Sequence, residues 1–286
     1  MVVLPLLGLG LALIFSFKGL IGFSEVVAFV AMYVVTAIGI SVGLHRLFTH
    51  DSFKAVPIIR YALAIAGSMA DQGPLVEWVA IHRLHHRFAD REGDPHSPYF
   101  PRMSLFRGLW HSHIGWVFED NPSELSAYAG DILADPGLAF INRSYYLWVF
   151  LGLLIPGTAC WILDGNLKGF AFGVLCGGFV RMFVVHHITW SINSVCHIWG
   201  SRPFATLDKS TNNPVLALVG VGEGWHNNHH AFPFSASHGL RWWQLDLSYY
   251  LITAFEVVGL VSNVKVPTKE QIERKQTRVW QEQVVL

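Results

Sequence analysis

The segment Val26-Val-Ala-Phe-Val-Ala-Met-Tyr-Val-Val-Thr-Ala-Ile-Gly-Ile-Ser-Val-Gly-Leu-His-Arg-Leu-Phe-Thr-His50 joins a long apolar run to a pair of histidines. Residues 26–44 of this segment carry no charged side chain. About 20 apolar residues are needed to cross the hydrocarbon core of a bilayer, so the run has the length of a membrane-spanning helix. The segment therefore predicts a helix that crosses a membrane and places His45 and His50 at one surface of that membrane.

The composition of the whole chain agrees with a membrane protein. Hydrophobic residues make up 52% of the 286 residues and charged residues 14%, whereas soluble domains carry roughly 25% charged residues. The 20 Lys and Arg balance the 20 Asp and Glu, so the chain has no basic field that would attract a nucleic acid. We therefore expect membrane lipid around the protein and no nucleic-acid partner.

Three further apolar runs extend this interpretation to an all-α integral membrane protein with four transmembrane helices in two hairpins. The predicted spans lie at residues 2–17, 26–44, 145–163 and 169–188. The connections at 18–25 and 164–168 are too short to fold outside the membrane. We expect residues 45–144 and 189–286 to form a helical cap on one side, and the whole chain, 1–286, to be a single domain.

The distribution of cationic residues predicts which side carries the cap. Seventeen of the 20 Lys and Arg lie in residues 45–144 and 189–286. Because Lys and Arg accumulate on the cytosolic side of membrane proteins, the cap and both termini are expected in the cytosol. The short termini favour a bacterial inner membrane.

Histidines are the abnormal part of the composition, with 15 in the chain, and most of them are clustered. The clusters are His45 with His50, then His82 with His85 and His86, then Asn193 with His197, and finally His226 with His229 and His230. In a helix, the H-x-x-H-H spacing places three rings on one side of the helix, so each such set is expected to face one point. Two histidines five residues apart converge only if their helix unwinds, or they reach different centres.

A metal centre explains these clusters better than ordinary packing. Nine imidazoles gathered without a metal would leave many partly buried polar groups without partners. Nine nitrogen ligands suffice for two ions, and iron is favoured because positions would remain open for oxygen, although spacing alone leaves zinc possible. The remaining histidines are expected to be ordinary hydrogen-bonded residues: His96, His111, His113, His186, His187 and His238.

Together these motifs resemble those of the membrane fatty-acid desaturases, in the branch of delta-9 acyl-CoA and acyl-lipid desaturases. The stretches Gly43–His50, His82–Asp90 with Gly93–His96, and Gly222–Pro233 are similar to the three histidine boxes of that family, and Asn193–His197 is similar to its accessory box. The resemblance implies an oxygen-dependent desaturase that introduces a cis double bond, at delta-9, into a saturated acyl chain linked to CoA or to a lipid.

The resemblance also implies a centre of two non-haem iron ions and no catalytic residue beyond the metal ligands. The implied ligands are His45, His50, His82, His85, His86, His197, His226, His229 and His230, with Asn193 acting through a water. Each turnover needs O2 and two electrons. Because the chain shows no haem, flavin or nicotinamide motif, the expected donor is an external ferredoxin, cytochrome b5 or similar carrier.

Six further residues match the substrate channel of the family. Gln72, Trp78, Thr189 and Trp190 occupy positions that line a bend in the channel, and Tyr33 and Ala37 occupy positions that close its far end. The chain departs from related animal enzymes at Gly73, where they carry Asn.

Two other functions remain open from the sequence. A fatty-acid or alkane hydroxylase would use similar histidine boxes but insert oxygen instead of removing a second hydrogen. A non-enzymatic metal-binding or transport protein is less favoured, since transport usually places ionisable residues throughout the spans.

Overall fold

The computed structural model describes residues 1–100, 103–119 and 125–284. The chain is 67% helical. In the described part, the only sheet is a two-stranded antiparallel ribbon in which β1 (Lys54–Ala55) pairs with β2 (Val261–Ser262). The all-α prediction is therefore confirmed as mostly helical with almost no sheet. Residues 101–102, 120–124 and 285–286 of the predicted cap lie outside the described residues.

Three continuous helices are long and apolar enough to cross a membrane. They are Phe23–Thr49, Tyr145–Asp164 and Leu167–His197. The first contains α2 (Phe23–Ile38), the second is α8 (Tyr145–Asp164), and the third contains α9 (Leu167–Gly173) and α10 (Arg181–Ser194). Helix α1 (Val3–Phe17) is apolar but has 15 residues. The fourth span, the arrangement in hairpins and the cytosolic side of the cap stay predictions.

Local sequence signals set the ends of these helices. Glu25 accepts the backbone N–H of Gly22 at 2.8 Å and so caps the start of α2. Helix α8 ends at Gly165, whose φ of 70° is the left-handed conformation that glycine adopts without strain. Asn166 then accepts the N–H of Gly169 at 3.0 Å and starts α9. These caps make a tight turn between two antiparallel helices.

Helix α2 continues without a break into a π-helix, Gly39–Thr49, and α9 is joined to α10 by a second π-helix, Val174–Val180. The first packs closely against α3 (Pro57–Ser68). A Cβ on Gly39 would lie 2.3 Å from the backbone nitrogen of Gly67, so only glycine permits this approach. The contact fixes the π-helix against the core of the protein.

The loop between α3 and α4 (Leu75–Phe88) is held by buried side chains of two apolar helices. Arg181 is fully buried and donates to the carbonyl of Met69 at 2.8 Å. Nε2 of His186 lies 2.8 Å from the carbonyl oxygen of Ala70, and Tyr145 donates to Asp71 at 2.9 Å. Backbone carbonyl groups thereby accept the hydrogen bonds of the buried Arg181 guanidinium. These contacts also hold the loop that carries Gln72 in place.

Seven further α-helices and three 3-10 helices complete the described part of the fold. They are α5 (Leu105–His113), α6 (Gly130–Leu133), α7 (Pro136–Arg143), α11 (Pro214–Val219), α12 (His226–Ala231), α13 (Leu247–Val257) and α14 (Lys269–Val284), with short 3-10 helices at Gly115–Phe118, Leu125–Ala129 and Val195–His197. The largest apolar cluster joins the first π-helix to α3, α4 and α13. The first π-helix and α4, which carry several of the clustered histidines, therefore share one core.

Candidate metal centre

The first π-helix brings together the two histidines that an α-helix would separate. Its i→i+5 hydrogen bonding places residues five apart near one another, and the N–H of His50 donates to the carbonyl of His45 at 3.2 Å. The two ring centroids lie 5.0 Å apart. The sequence left two possibilities open: the helix unwinds, or the two rings reach different centres. The structure shows the first, and both rings belong to one group of histidines.

Five histidines form one group, which we name the five-histidine group. Its members are His45, His50, His82, His86 and His229, whose candidate ligand atoms all lie within 4.8 Å of one another. Nε2 of His229 lies 3.0 Å from Nε2 of His45 and 2.9 Å from Nε2 of His86. Nε2 of His86 is in turn 3.1 Å from that of His82.

Four histidines form a second group beside it, the four-histidine group. Its members are His85, His197, His226 and His230, again within 4.8 Å of one another. Nε2 of His226 lies 3.0 Å from Nε2 of His197 and 3.1 Å from that of His230. The nine histidines implied by the resemblance are thus all gathered, in sets of five and four.

The expectation that each H-x-x-H-H motif faces one point is wrong. In α4, His82 and His86 belong to the five-histidine group, whereas His85 belongs to the four-histidine group. In α12 the division is reversed, because His226 and His230 enter the four-histidine group and His229 the other. The physical reason is that residues i and i+4 stack along one face, while the remaining ring is turned far enough to reach the second group. Each helix therefore joins both groups.

The donor set fits two metal ions of the kind that imidazole prefers. An imidazole nitrogen either donates through one N–H or accepts through one lone pair, so Nε2 of His229 cannot form hydrogen bonds to the Nε2 atoms of His45 and His86 at the same time. Burial lowers the pKa of His82, His86, His226 and His229 well below the usual value, and neighbouring imidazoles lower it further. These rings are neutral at physiological pH, and neutral imidazole is the form that binds a metal.

Carboxylates contact Nδ1 of several of these rings, on the side opposite Nε2. None of these carboxylates was predicted from the sequence as part of the site. Nδ1 of His85 lies 3.0 Å from Asp94, Nδ1 of His197 lies 2.9 Å from Asp90, and Nδ1 of His230 lies 3.1 Å from Asp208. Such contacts fix the tautomer and orient Nε2 toward a metal. Asp90 and Asp94 stand inside the second motif, so their spacing from His85 was the available signal. Nothing in the local sequence points to Asp208.

The two groups differ in this support. Three of the four rings in the four-histidine group have a carboxylate within 4.0 Å of a ring nitrogen. Among the described residues, only His45 of the five-histidine group has one, since its Nδ1 lies 2.5 Å from Glu223. Burial raises the pKa of Asp94 and Asp208, but His85 and His230 outweigh burial and hold both pKa values well below the usual range. These carboxylates are therefore ionised acceptors.

Glu223 is itself held by a buried arginine. Arg46 has no exposed surface, contacts Glu223, and donates to Asp246 at 3.1 and 3.2 Å. The two carboxylates neutralise the guanidinium, and the carbonyl of Ala236 accepts from its Nε at 2.9 Å. Arg46 lies next to His45 in sequence, so one turn of the π-helix supplies both a ligand and the cation that positions its carboxylate.

The six histidines expected to be ordinary residues divide into two kinds. His186 contacts a carbonyl, His111 lies 3.1 Å from Glu119, and His113 and His187 contact each other at 2.9 Å. His238 differs, because both of its ring nitrogens are buried without a hydrogen-bond partner and its ring lies 4.4 Å from that of His229. His96 also has a buried Nδ1 without a partner.

An apolar cavity, which we name the first cavity, has members of both histidine groups on its wall. Its walls include Tyr33 and Ala37 at one part and His45, His82 and His226 at another. The hydroxyl of Tyr33 donates to the carbonyl of Val219, which ties α2 to α11. The first cavity therefore touches members of the five-histidine group and of the four-histidine group.

A second cavity adjoins the first. The residues shared by both walls are Trp78, His82, Thr189 and Asn193. Gln72 lines the second cavity and bridges two of them, donating to Thr189 at 2.9 Å and accepting from Trp78 at 3.3 Å. Trp190 also lines the second cavity. All six residues matched to the substrate channel thus lie on the walls of these two cavities.

Comparisons with known proteins assign the family. The model of the fatty acid desaturase family matches residues 24–255. A hex-5-enoyl-[acyl-carrier protein] acetylenase of Moorena producens (strain JHB) is 46% identical over 257 residues, which cover 88% of this chain and 80% of that protein. A chloroplastic palmitoyl-monogalactosyldiacylglycerol delta-7 desaturase of Arabidopsis thaliana is 40% identical over 85% of this chain and 62% of its own length.

A third relative, the sn-1 stearoyl-lipid 9-desaturase of Anabaena variabilis, is 38% identical over 86% of this chain and 85% of its own length. The three names give different acyl carriers and different bond positions, so these similarities establish the family and leave the substrate open. The chain belongs to the fatty acid desaturase family, and as a desaturase it is an oxidoreductase of fatty acyl chains.

Proposed function

We propose that this desaturase uses O2 and two iron ions to introduce a cis double bond, at delta-9, into a saturated acyl chain linked to CoA or to a membrane lipid. One observation carries the proposal: an apolar cavity has members of both histidine groups on its wall, His45 and His82 from one and His226 from the other. A saturated chain in this cavity would lie beside both metal positions.

The five-histidine group and the four-histidine group would each hold one iron, with Asn193 holding a water near one of them. Asn193 lines both cavities, as does His82. When bound, iron supplies the redox chemistry with O2 that removes two hydrogens from the acyl chain. The carboxylates Asp90, Asp94, Asp208 and Glu223 orient four of the imidazoles and keep their protons on Nδ1.

The first cavity would bind the methyl-terminal part of the acyl chain. Ile40, Val185, Ile188 and Ile192 line it, and each buried methylene contributes about 0.8 kcal/mol to binding. These apolar walls also exclude water from the space beside the histidines. Tyr33, through its bond to Val219, would close the far end.

The residues shared by the two cavities would set a bend in the chain. The Trp78 ring stacks on that of His82, with centroids 5.3 Å apart and an interplanar angle of 25°. The hydrogen bonds from Gln72 to Thr189 and from Trp78 to Gln72 hold the wall of the junction rigid. Fixing a flexible chain against a reactive centre lowers the entropic part of the barrier.

Two electrons per turnover would come from an external carrier such as a ferredoxin or cytochrome b5.

We also propose that α1 is a fourth span, that residues 1–286 form one domain, and that both termini and the cap face the cytosol of a bacterial cell. The close approach of Gly8 in α1 to Phe179 supports packing of α1 against the other apolar helices.

Expression in a host with defined fatty acids tests the proposal. Chromatography with mass spectrometry would locate any new double bond, and elemental analysis of the purified protein would count iron. We expect a delta-9 cis product that needs O2 and is absent from a His82→Ala variant. An added oxygen atom instead of a double bond would show a hydroxylase, and bound metal with no acyl product under reducing, aerobic conditions would favour a metal-binding protein.

A further inference from the structure

The second cavity differs from the first in the polar atoms that its residues carry. His96 and Trp116 line it, and Nδ1 of His96 and Nε1 of Trp116 are both buried without a hydrogen-bond partner. An indole N–H can only donate, so Trp116 requires an acceptor. A buried polar atom without a hydrogen-bond partner destabilises the folded protein, so two such atoms on one cavity wall require an explanation.

Neighbouring side chains hold the His96 ring beside Trp116. The ring of His96 stacks on that of His85 at 4.4 Å with an angle of 28°, and its centroid lies 5.4 Å from that of Trp116. Asp94 is 3.9 Å from Nδ1 of His96, which is beyond hydrogen-bond distance. Its two oxygens already accept from His85 and from the backbone N–H groups of Asp90 and His96.

Because the first cavity is apolar, an acyl chain that fills it must place its polar end elsewhere. The second cavity begins where the first ends, at Trp78, His82, Thr189 and Asn193. The strongest hydrogen-bond acceptor at this end of an acyl ester or thioester is the carbonyl oxygen, which accepts hydrogen bonds and donates none.

We propose that Trp116 and His96 form a subsite that binds the carbonyl oxygen of the acyl ester or thioester. The inference rests on the proposed function, because it assumes an acyl chain in the first cavity. It assigns the second cavity to the carboxyl end of the substrate. A fixed carbonyl determines which carbon lies beside the histidines, so the double bond is counted from the carboxyl end.

Binding of two probes that differ only at the carbonyl tests the subsite. Methyl stearate carries the oxygen, and methyl octadecyl ether replaces the carbonyl by a methylene. Each would compete with a radiolabelled fatty acyl ester for the purified, metal-loaded protein in detergent. We expect the wild-type protein to prefer the ester by about three- to tenfold, the effect of one or two hydrogen bonds.

Trp116→Phe keeps the aromatic ring and removes the donor, so it should abolish most of this preference while binding the ether as the wild type does. His96→Phe should reduce it in the same way. Trp110→Phe is the matched control, since Trp110 is 61% exposed on the neighbouring helix α5 and does not line the second cavity. Equal weakening of both probes by Trp116→Phe would assign that residue a structural role and overturn the proposal.

A wild-type protein with no preference between the probes would also overturn it. The binding readout needs no turnover, so the subsite and the proposed function can fail separately. If the ester preference holds but no double bond forms, the proposed function is wrong and the carbonyl subsite stands. As a second measurement, Trp116→Phe should give products with the double bond at more than one position, whereas a single unchanged position would contradict counting from the carbonyl.

Discussion

Nδ1 of His85 lies 3.0 Å from Oδ1 of Asp94, and both side chains are almost completely buried. Asp94 also accepts two backbone N–H groups, from Asp90 and His96, so its position does not depend on a metal. The carboxylate therefore holds the His85 ring ready to bind through Nε2. This relationship is repeated at His197 and His230, so three of the four rings in the four-histidine group have a carboxylate partner, whereas in the five-histidine group only His45 has one.

Asp94→Asn should weaken metal binding at the four-histidine group. An amide carries no charge to support the imidazole, and losing such a partner typically lowers metal affinity about 10- to 100-fold. Iron per polypeptide after dialysis against a chelator would fall toward half of the wild-type value. Asp164→Asn, at the far end of α8 and exposed, should retain the wild-type content. Equal iron in all three proteins would show that Asp94 does not support a ligand.

Arg46→Met should destabilise the protein, because it leaves Glu223 and Asp246 buried without their cation. Breaking a buried ion pair by removing one partner costs about 3–5 kcal/mol. The midpoint of thermal unfolding in detergent would fall. Arg46→Lys would recover only part of the loss, because a compact ammonium lacks the planar guanidinium whose N–H groups reach both carboxylates. Arg107→Met, on the exposed face of α5, is the control. An unchanged midpoint for Arg46→Met would contradict this role.

Ala37→Phe should shift the preference toward shorter acyl chains. Ala37 lines the first cavity, and a ring there would displace the end of the longest chain that the wild type accepts. Each methylene excluded from the apolar cavity loses about 0.8 kcal/mol of binding, or roughly fourfold in affinity. Product analysis with a series of chain lengths measures the shift. Val34→Phe, on the exposed side of the same helix, should leave the series unchanged. If Ala37→Phe and Val34→Phe show the same chain-length selectivity, Ala37 does not line the substrate channel.

The metal-free protein should lose stability as the pH falls below neutrality. Burial lowers the pKa of His230 to about 4, although Asp208 opposes the shift, and burial followed by His85 lowers the pKa of His96 to about 3. In the unfolded chain these rings take up protons near pH 6.5, whereas in the folded protein they stay neutral until the pH is much lower. Unfolding therefore becomes easier as the pH drops from about 6.5 toward 4.

Thermal unfolding of chelator-treated protein at about pH 7.5 and about pH 5 measures this effect, and the midpoint should be lower at the acidic pH. A variant with His96→Phe and His230→Phe removes two of the responsible groups and should show a smaller difference between the two conditions. A midpoint that rises on acidification would contradict the assignment of neutral buried imidazoles.

Several features of the candidate site could be predicted from the sequence because they depend on local patterns. Apolar runs of sufficient length predict the helices at residues 26–44, 145–163 and 169–188, and each is found with its ends shifted by a few residues or, at 169–188, extended to His197. The π-helix was not predictable, since the stretch Gly39–Thr49 carries no pattern that separates i→i+5 from i→i+4 hydrogen bonding. Its geometry comes from packing against α3 at Gly67.

The sequence by itself determined the inventory: apolar helices, nine clustered imidazoles and an asparagine at a fixed spacing. Only the tertiary structure decided how the imidazoles divide into sets of five and four and which of them have a carboxylate partner. It also decided that both ring nitrogens of His238 and Nδ1 of His96 are buried beside the histidine groups without a hydrogen-bond partner. The reason is physical. Helical periodicity is a property of residues close together in sequence. The direction of the His85 ring depends instead on its contact with Asp94, and that of the His229 ring on contacts with His45 and His86 from other helices.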